Sequence, residues 1–211
     1  MKSSLTTLIF LIVSHAAIAQ TLHYEVVKGS KKLGDMYVDR QQSENEVKYE
    51  INSEVTFRIL FSFTVNYEST SEYQYGKLIK EYTHNKLNGN TQKKSTIWFD
   101  GKKYTLDLDG SRSTLDPPIK YSVAAIYFQE PADGQKVFSP QFGNYLTFER
   151  VGDHEYEMES PDGTNVYSYT NGICSEVKVY RDFAKFSFVM TPESLVAVKD
   201  KKIVGGSTAV D

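Results

Sequence analysis

Cysteine is nearly missing from this sequence. Cys174 is the only one among 211 residues, so no disulfide can close within the chain and the fold must be held by its core. With nothing electropositive or catalytic beside it, Cys174 reads as a small buried hydrophobe rather than a reactive thiol. An excess of positive charge is also missing. There are 24 Lys and Arg against 27 Asp and Glu, and the basic residues are scattered, which leaves no footprint for nucleic acid or for anionic lipid headgroups. Long apolar runs are missing too: the longest, Leu5 to Val13, is about half of the roughly 20 residues that a membrane-crossing helix needs.

That run lies in "MKSSLTTLIFLIVSHAAIAQ", behind a single cation at Lys2 and ahead of small residues ending Ala17-Ile18-Ala19. This is the layout of a secretory signal peptide cleaved after Ala19. Removing those 19 residues from 211 leaves 192, enough for one large domain or two small ones. The expected product is soluble and exported, periplasmic or secreted, with no transmembrane segment left and no cysteine at the cleavage site to carry a lipid anchor.

Aromatic residues, by contrast, are abundant. The 15 Tyr and 12 Phe, with only 6 Pro, suit a sheet-rich protein. Val47, Tyr49, Ile51, Val55, Phe57 and Ile59 alternate with Lys48, Glu50, Asn52, Glu54, Thr56 and Arg58, and period two with polar partners predicts a long strand with one buried face. A second run, Phe61, Phe63, Val65 and Tyr67, follows after a tight bend or bulge. Six two-residue turn signals punctuate the rest: Asn88-Gly89, Asp100-Gly101, Asp109-Gly110, Asp133-Gly134, Asp162-Gly163 and Asn171-Gly172. Short β-rich runs such as "STIWF", "KKYTLDL", "TNVYSY" and "ICSEVKVY" lie between them, as in an antiparallel meander. No repeat, linker or composition shift divides the chain. The expectation is one β domain over 20–192 and a flexible tail over 193–211.

One stretch breaks the alternation, "DPPIKYSVAAIYFQEP" over 116–131. Pro117 and Pro118 stop any preceding strand and Pro131 closes the segment. Within it Ser122 can cap a short helix whose apolar face carries Val123, Ile126 and Tyr127. A helix from Ser122 to Phe128 is therefore expected to cover the sheet's apolar face or plug one end of a barrel.

Recognisable chemistry is sparse. His23, His84 and His154 have no metal-binding or protease spacing, and His154-Glu155 lacks the second histidine of a zincin helix. No G-x-S-x-G elbow and no phosphate loop occurs. "DLDGSRSTLD", over 107–116, carries Asp107 and Asp109 but has its glycine at the wrong position for a calcium loop, so it reads as a hairpin turn. No catalytic residue, metal ligand or cofactor is expected. The aromatic residues Trp98, Phe99, Tyr127, Phe128, Phe138, Phe142, Tyr145 and Phe148 are core packing or the lining of an apolar pocket, and sequence leaves both readings open.

"PIKYSVAAIYFQEP", "KVFSPQFGNY" and "YEMESPDGTNVYSYTNGI" together resemble an uncharacterised family of exported proteins, a domain of unknown function found mainly in Bacteroidota. The resemblance covers roughly Tyr24 to Val189, rests on prolines, turn glycines and packed aromatics, and implies no catalytic residue. At fold level it also implies similarity to the half-barrels of periplasmic lipoprotein carriers.

The expected architecture is thus mainly β: a single long curved antiparallel sheet, a half-open or closed barrel, with one short helix packed against it. The leading expectation for function is a non-enzymatic exported protein binding a hydrophobic ligand, with Trp98, Tyr121, Ile126, Tyr127, Phe128 and Phe142 lining the site. The alternative is an envelope interaction module with a filled interior and another envelope protein as partner. An enzyme acting on glycans or lipids stands third.

Overall fold

Period-two alternation runs through nearly the whole chain. The computed structural model describes residues 18–58, 61–116, 118–182 and 184–205; apart from Ile18 and Ala19, the expected signal peptide lies outside them. The first half folds as β1 (Ile18–Lys28), β2 (Lys31–Gln42), β3 (Glu46–Arg58), β4 (Ser62–Gln74), β5 (Lys77–Leu87), β6 (Asn90–Phe99), β7 (Tyr104–Leu108) and β8 (Ser111–Leu115). The second half folds as β9 (Lys136–Ser139), β10 (Asn144–Gly152), β11 (Glu155–Ser160), β12 (Gly163–Thr170), β13 (Ile173–Arg181) and β14 (Ala184–Met190), followed by α1 (Pro192–Lys199).

These strands form one 14-stranded sheet in the order β8-β7-β6-β5-β4-β3-β2-β1-β14-β13-β12-β11-β10-β9. Every neighbour pair is an antiparallel hairpin except β1 with β14, where Tyr24 pairs with Met190 and Val26 with Phe188. The sheet is curved and stays open, with β8 and β9 as its edges. The half-open form of the expected barrel is therefore the one observed.

The strand expected from Val47 onward is β3, with Tyr49, Ile51, Val55 and Phe57 on its buried face. It pairs with β4 out to Arg58 opposite Ser62; Ile59, expected on the same face, and most of the expected bend lie outside the described residues. At Asn88-Gly89, Asp109-Gly110 and Asn171-Gly172 both residues have positive φ, as a type I′ turn requires. Tyr75-Gly76 does the same between β4 and β5 with no Asn or Asp to signal it. At Asp100-Gly101, Asp133-Gly134 and Asp162-Gly163 only the glycine is left-handed; the first two serve longer connections, and Gly163 is already the first residue of β12 after the two-residue link Pro161-Asp162. Gly34 has another role. It pairs with Val55, and a Cβ there would run into the Glu54 carbonyl oxygen, so β2 and β3 can approach only without a side chain.

Residues 118–135 cross toward edge β9 over the concave side. Leu78 N donates to Ile119 O at 2.9 Å, Phe138 N to Tyr121 O at 2.9 Å and Val123 N to Phe138 O at 3.1 Å, so the crossing segment is stitched to β5 and to β9. This stitching corrects the expected helix from Ser122 to Phe128. Ser122 is held in a parallel bridge to Phe138 instead of capping, which leaves only a 3₁₀ turn over Ala125–Tyr127. The regular helix is α1, in the segment expected as a flexible tail. Thr191 caps it by accepting from Ser194 N, Pro192 occupies its first turn, and Val198 is fully buried. The chain beyond α1 is also docked, since Val204 O accepts from Arg40 Nη2 at 2.6 Å.

Candidate functional site

Two apolar clusters fill the concave side, and the space between them is incompletely filled. The larger includes Leu22, Tyr49, Ile97, Tyr104, Phe128, Phe138 and Phe148. The smaller consists of Val26, Val55, Phe57 and Ala184, backed by Phe63, Val65, Phe186 and Phe188. Phe57 stacks on Phe63 at 5.1 Å between ring centroids and meets Phe186 edge-on at 5.2 Å. Beside this aromatic group opens a cleft of about 760 Å³, within the range of small-molecule sites.

The mouth lies at hairpin ends. Asp162 and Gly163 from the β11–β12 turn, Arg181 and Asp182 from the end of β13, and Gln141 and Phe142 before β10 form the lip. Lys93 Nζ sits 4.8 Å from the Phe142 ring centroid and 3.1 Å from Asp162 Oδ1, and Gln141 Nε2 donates to Asp162 Oδ2 at 2.6 Å. These contacts join β6 to the β11–β12 turn, two regions far apart in strand order, across the mouth of the cleft.

The lining is not uniformly apolar. Tyr67 from β4 and its cross-strand partner Asn85 from β5 face Tyr127 of the 3₁₀ turn and Asn165 and Tyr167 of β12. Asn165 Nδ2 donates to Tyr167 OH at 2.9 Å. Burial pushes the phenol pKa values of Tyr67, Tyr127 and Tyr167 far up, and Tyr67 adds to the push on both of the others. All three are neutral donors and acceptors at physiological pH.

Of the six residues expected to line a site, Ile126, Tyr127 and Phe142 border this cleft. The other three do not, and each has a physical reason. Trp98 follows the fully buried Ile97 on β6 and so points to the outer face, between Lys80 and Thr105. Tyr121 is buried in the core with its hydroxyl donating to Gln129 O at 2.7 Å. Phe128 lies under the buried Arg40 guanidinium, 4.7 Å from the ring centroid, and beside Tyr49. The lining residues that sequence reasoning missed, Phe186 and Phe188 among them, carry a visible signal: "KFSFVM" alternates with the same period as β3.

A second polar group lies on β4 and β5, away from the cleft. Glu81 is fully buried; its Oε1 accepts from Ser71 Oγ at 2.7 Å and Ser122 Oγ at 3.2 Å, while Tyr73 OH donates to Ser122 Oγ at 2.8 Å. Burial pushes its carboxyl pKa up to about 7 against the two hydroxyl bonds, which pull it down. This network ties the crossing segment to the sheet. Cys174 is buried and burial pushes its thiol pKa up, as expected for a packing residue. His23 bonds Asp35 at 2.7 Å, His84 bonds Thr91 at 2.8 Å, and His154 sits with φ of 54° in a turn beside Glu130. Among the described residues no three His, Cys, Asp or Glu gather to hold a metal ion, and no helix is long and apolar enough to cross a membrane.

Residues 24–191 match the family model of a domain of unknown function, DUF6134. The chain belongs to that family. The DUF6134 match runs from within β1 to the residue that caps α1 and includes the three motifs quoted for the resemblance. Among solved structures the chain is similar to the beta-barrel-like protein of a domain of unknown function, DUF1849, from Brucella abortus, at 12% identity and a TM-score of 0.48, over 84% of this chain and 98% of that one. No curated protein matches the sequence.

Proposed function

We propose that this DUF6134 protein is an exported, non-enzymatic binding protein whose curled sheet holds an apolar or amphipathic envelope molecule. The observation that carries the reading is the cleft of about 760 Å³ beside the Phe57, Phe186 and Phe188 cluster. A protein interior normally packs to near-crystalline density, so space of this size against aromatic walls is what a bound apolar molecule would fill. A filled interior would leave no such space, which puts the interaction-module alternative second. Export rests on the leader sequence. Glu81 stands alone in its network without a second carboxylate or a nucleophile poised on it, so it supports a structural role rather than acid–base chemistry.

The test is native mass spectrometry on protein purified from the periplasm, followed by solvent extraction. A reproducible added mass that extracts as lipid is the expected result. A clean apo mass, with no uptake of an apolar dye such as N-phenyl-1-naphthylamine, would refute the reading.

A further inference from the structure

The cations are scattered along the sequence, and the fold gathers several of them at one end of the sheet. Register fixes which end. Arg181 opposes Ala184, Ser187 opposes Val27, Lys28 opposes Lys31, Gly34 opposes Val55 and Arg58 opposes Ser62. The β13–β14, β1–β2 and β3–β4 connections therefore lie in line, on the side where Arg181 and Asp182 form the lip of the cleft. With the strand residues that flank them, the described parts of these connections carry Lys28, Lys31, Arg58 and Arg181 against Asp182. Lys28, Lys31 and Arg58 are exposed and make no ion pair among the described residues. Their neighbours differ: Lys32 is taken by Glu25 and Asp35, and Lys93 by Asp162. In the same connection as Arg58, immediately before β4, Phe61 has 83% of its surface exposed. One rung in from Arg58 and Ser62, Phe57 pairs with Phe63 and borders the cleft.

We propose that this rim docks on an anionic lipid surface, with Phe61 entering the headgroup layer and Lys28, Lys31 and Arg58 meeting lipid phosphates. The docked protein presents the mouth of its cleft to the membrane. This goes beyond the reading of the cleft as a ligand site and does not depend on it. A single exposed apolar side chain is ordinary on a soluble protein. An exposed ring among unpaired cations is the combination that holds peripheral segments at a bilayer, where apolar burial and attraction to anionic lipid add. A protein partner would need a packed apolar centre and matched shape, and one ring with long, separated side chains offers neither. A fluid headgroup layer requires no such match. The chain as a whole carries a net charge of −3, so an anionic surface repels most orientations and favours the one with this end turned inward.

The experiment is co-sedimentation of the full mature protein with vesicles of phosphatidylcholine alone and of phosphatidylcholine with about one-third phosphatidylglycerol. It is run at low salt and at about 0.5 M salt, where the Debye length shrinks to about 4 Å. Binding to the anionic vesicles is expected to be at least about tenfold tighter and to be lost in salt. K28Q with K31Q should weaken it by about tenfold or more, on a scale of about fivefold per cation, and F61S by about threefold or more. K102Q with K103Q makes the same charge change on the exposed β6–β7 connection at the opposite end, and should stay within about twofold. All five side chains are exposed, so thermal melts by circular dichroism should match wild type. Absence of binding to anionic vesicles at low salt, or equal binding to both kinds, overturns the proposal. So does unchanged binding in F61S, or a loss in K102Q with K103Q as large as in K28Q with K31Q. Dye uptake by the same samples reports on the cleft separately: uptake without vesicle binding leaves the ligand reading standing and removes this one.

Discussion

The inner face of β12–β14 and that of β4–β6 follow the same period-two rule and bury different chemistry. On β12–β14 the residues bordering the cleft are mostly apolar, Val177, Val179, Phe186 and Phe188 beside Asn165 and Tyr167. On β4–β6 the inward residues include Ser69, Ser71, Glu81, Thr83 and Ser95, all buried. The apolar side is held by area removed from water, which tolerates looseness and leaves a cleft. The polar side is held largely by partnered groups, Ser71 with Glu81 at 2.7 Å and Thr83 with Ser95 at 2.6 Å, whose bonds depend on close geometry. Space for a ligand is thus found against the side whose stability does not depend on exact pairing.

This contrast can be broken at several points. The largest effect is expected from G34V, which forces β2 off β3 where Val55 enters the apolar side: a loss of about 4 kcal/mol or more, seen as failure to give soluble folded protein by circular dichroism. Next comes Glu81. Its folded-state pKa, about 7, stands above the ordinary glutamate value of 4.5, so the native protein binds more protons than the unfolded chain between those values. Stability should therefore fall as pH rises from about 4.5 through about 7, by on the order of 3 kcal/mol, and level off above. Urea melts across that window should show the fall in wild type and lose it in E81Q; a pH-independent wild type would remove Glu81 from this role. F186A comes third. The side chain is half-buried, so a loss of about 2 kcal/mol is expected together with weaker dye uptake, the signature of a wall that both packs and binds. W98A is smallest: below about 1 kcal/mol by urea melt with dye uptake unchanged, because Trp98 lies on the outer face; a clear loss of uptake would place it in the site after all.

The apolar side was the legible one. Val47 through Phe57 alternates cleanly enough to place both the strand and its buried face, and the Asn-Gly and Asp-Gly pairs mark hairpins because only a left-handed backbone turns so tightly. The polar side resisted for a definite reason. Ser69, Ser71 and Thr83 alternate with other polar residues, so hydrophobicity carries no period there, and a bulge at Ile79 shifts the phase that would otherwise place Glu81. Trp98 was expected at the site as one of the aromatic residues, but Ser95 and Ile97 point inward, and that phase sends Trp98 out. The helix α1 was signalled by Thr191-Pro192-Glu193, a cap followed by a first-turn proline, but lay where small polar residues suggested fraying.

The seam between β1 and β14 also shapes how the molecule must assemble. Each half of the sheet is a run of hairpins that can zip locally as it emerges, but Tyr24 meets Met190 only once the chain is nearly finished. Until then the middle of the eventual sheet is two raw edges, each able to recruit a strand from another molecule. The slowest step in folding and the moment of greatest risk of aggregation therefore coincide at a single ladder, and a chain cut short just before β14 would be left permanently in that state.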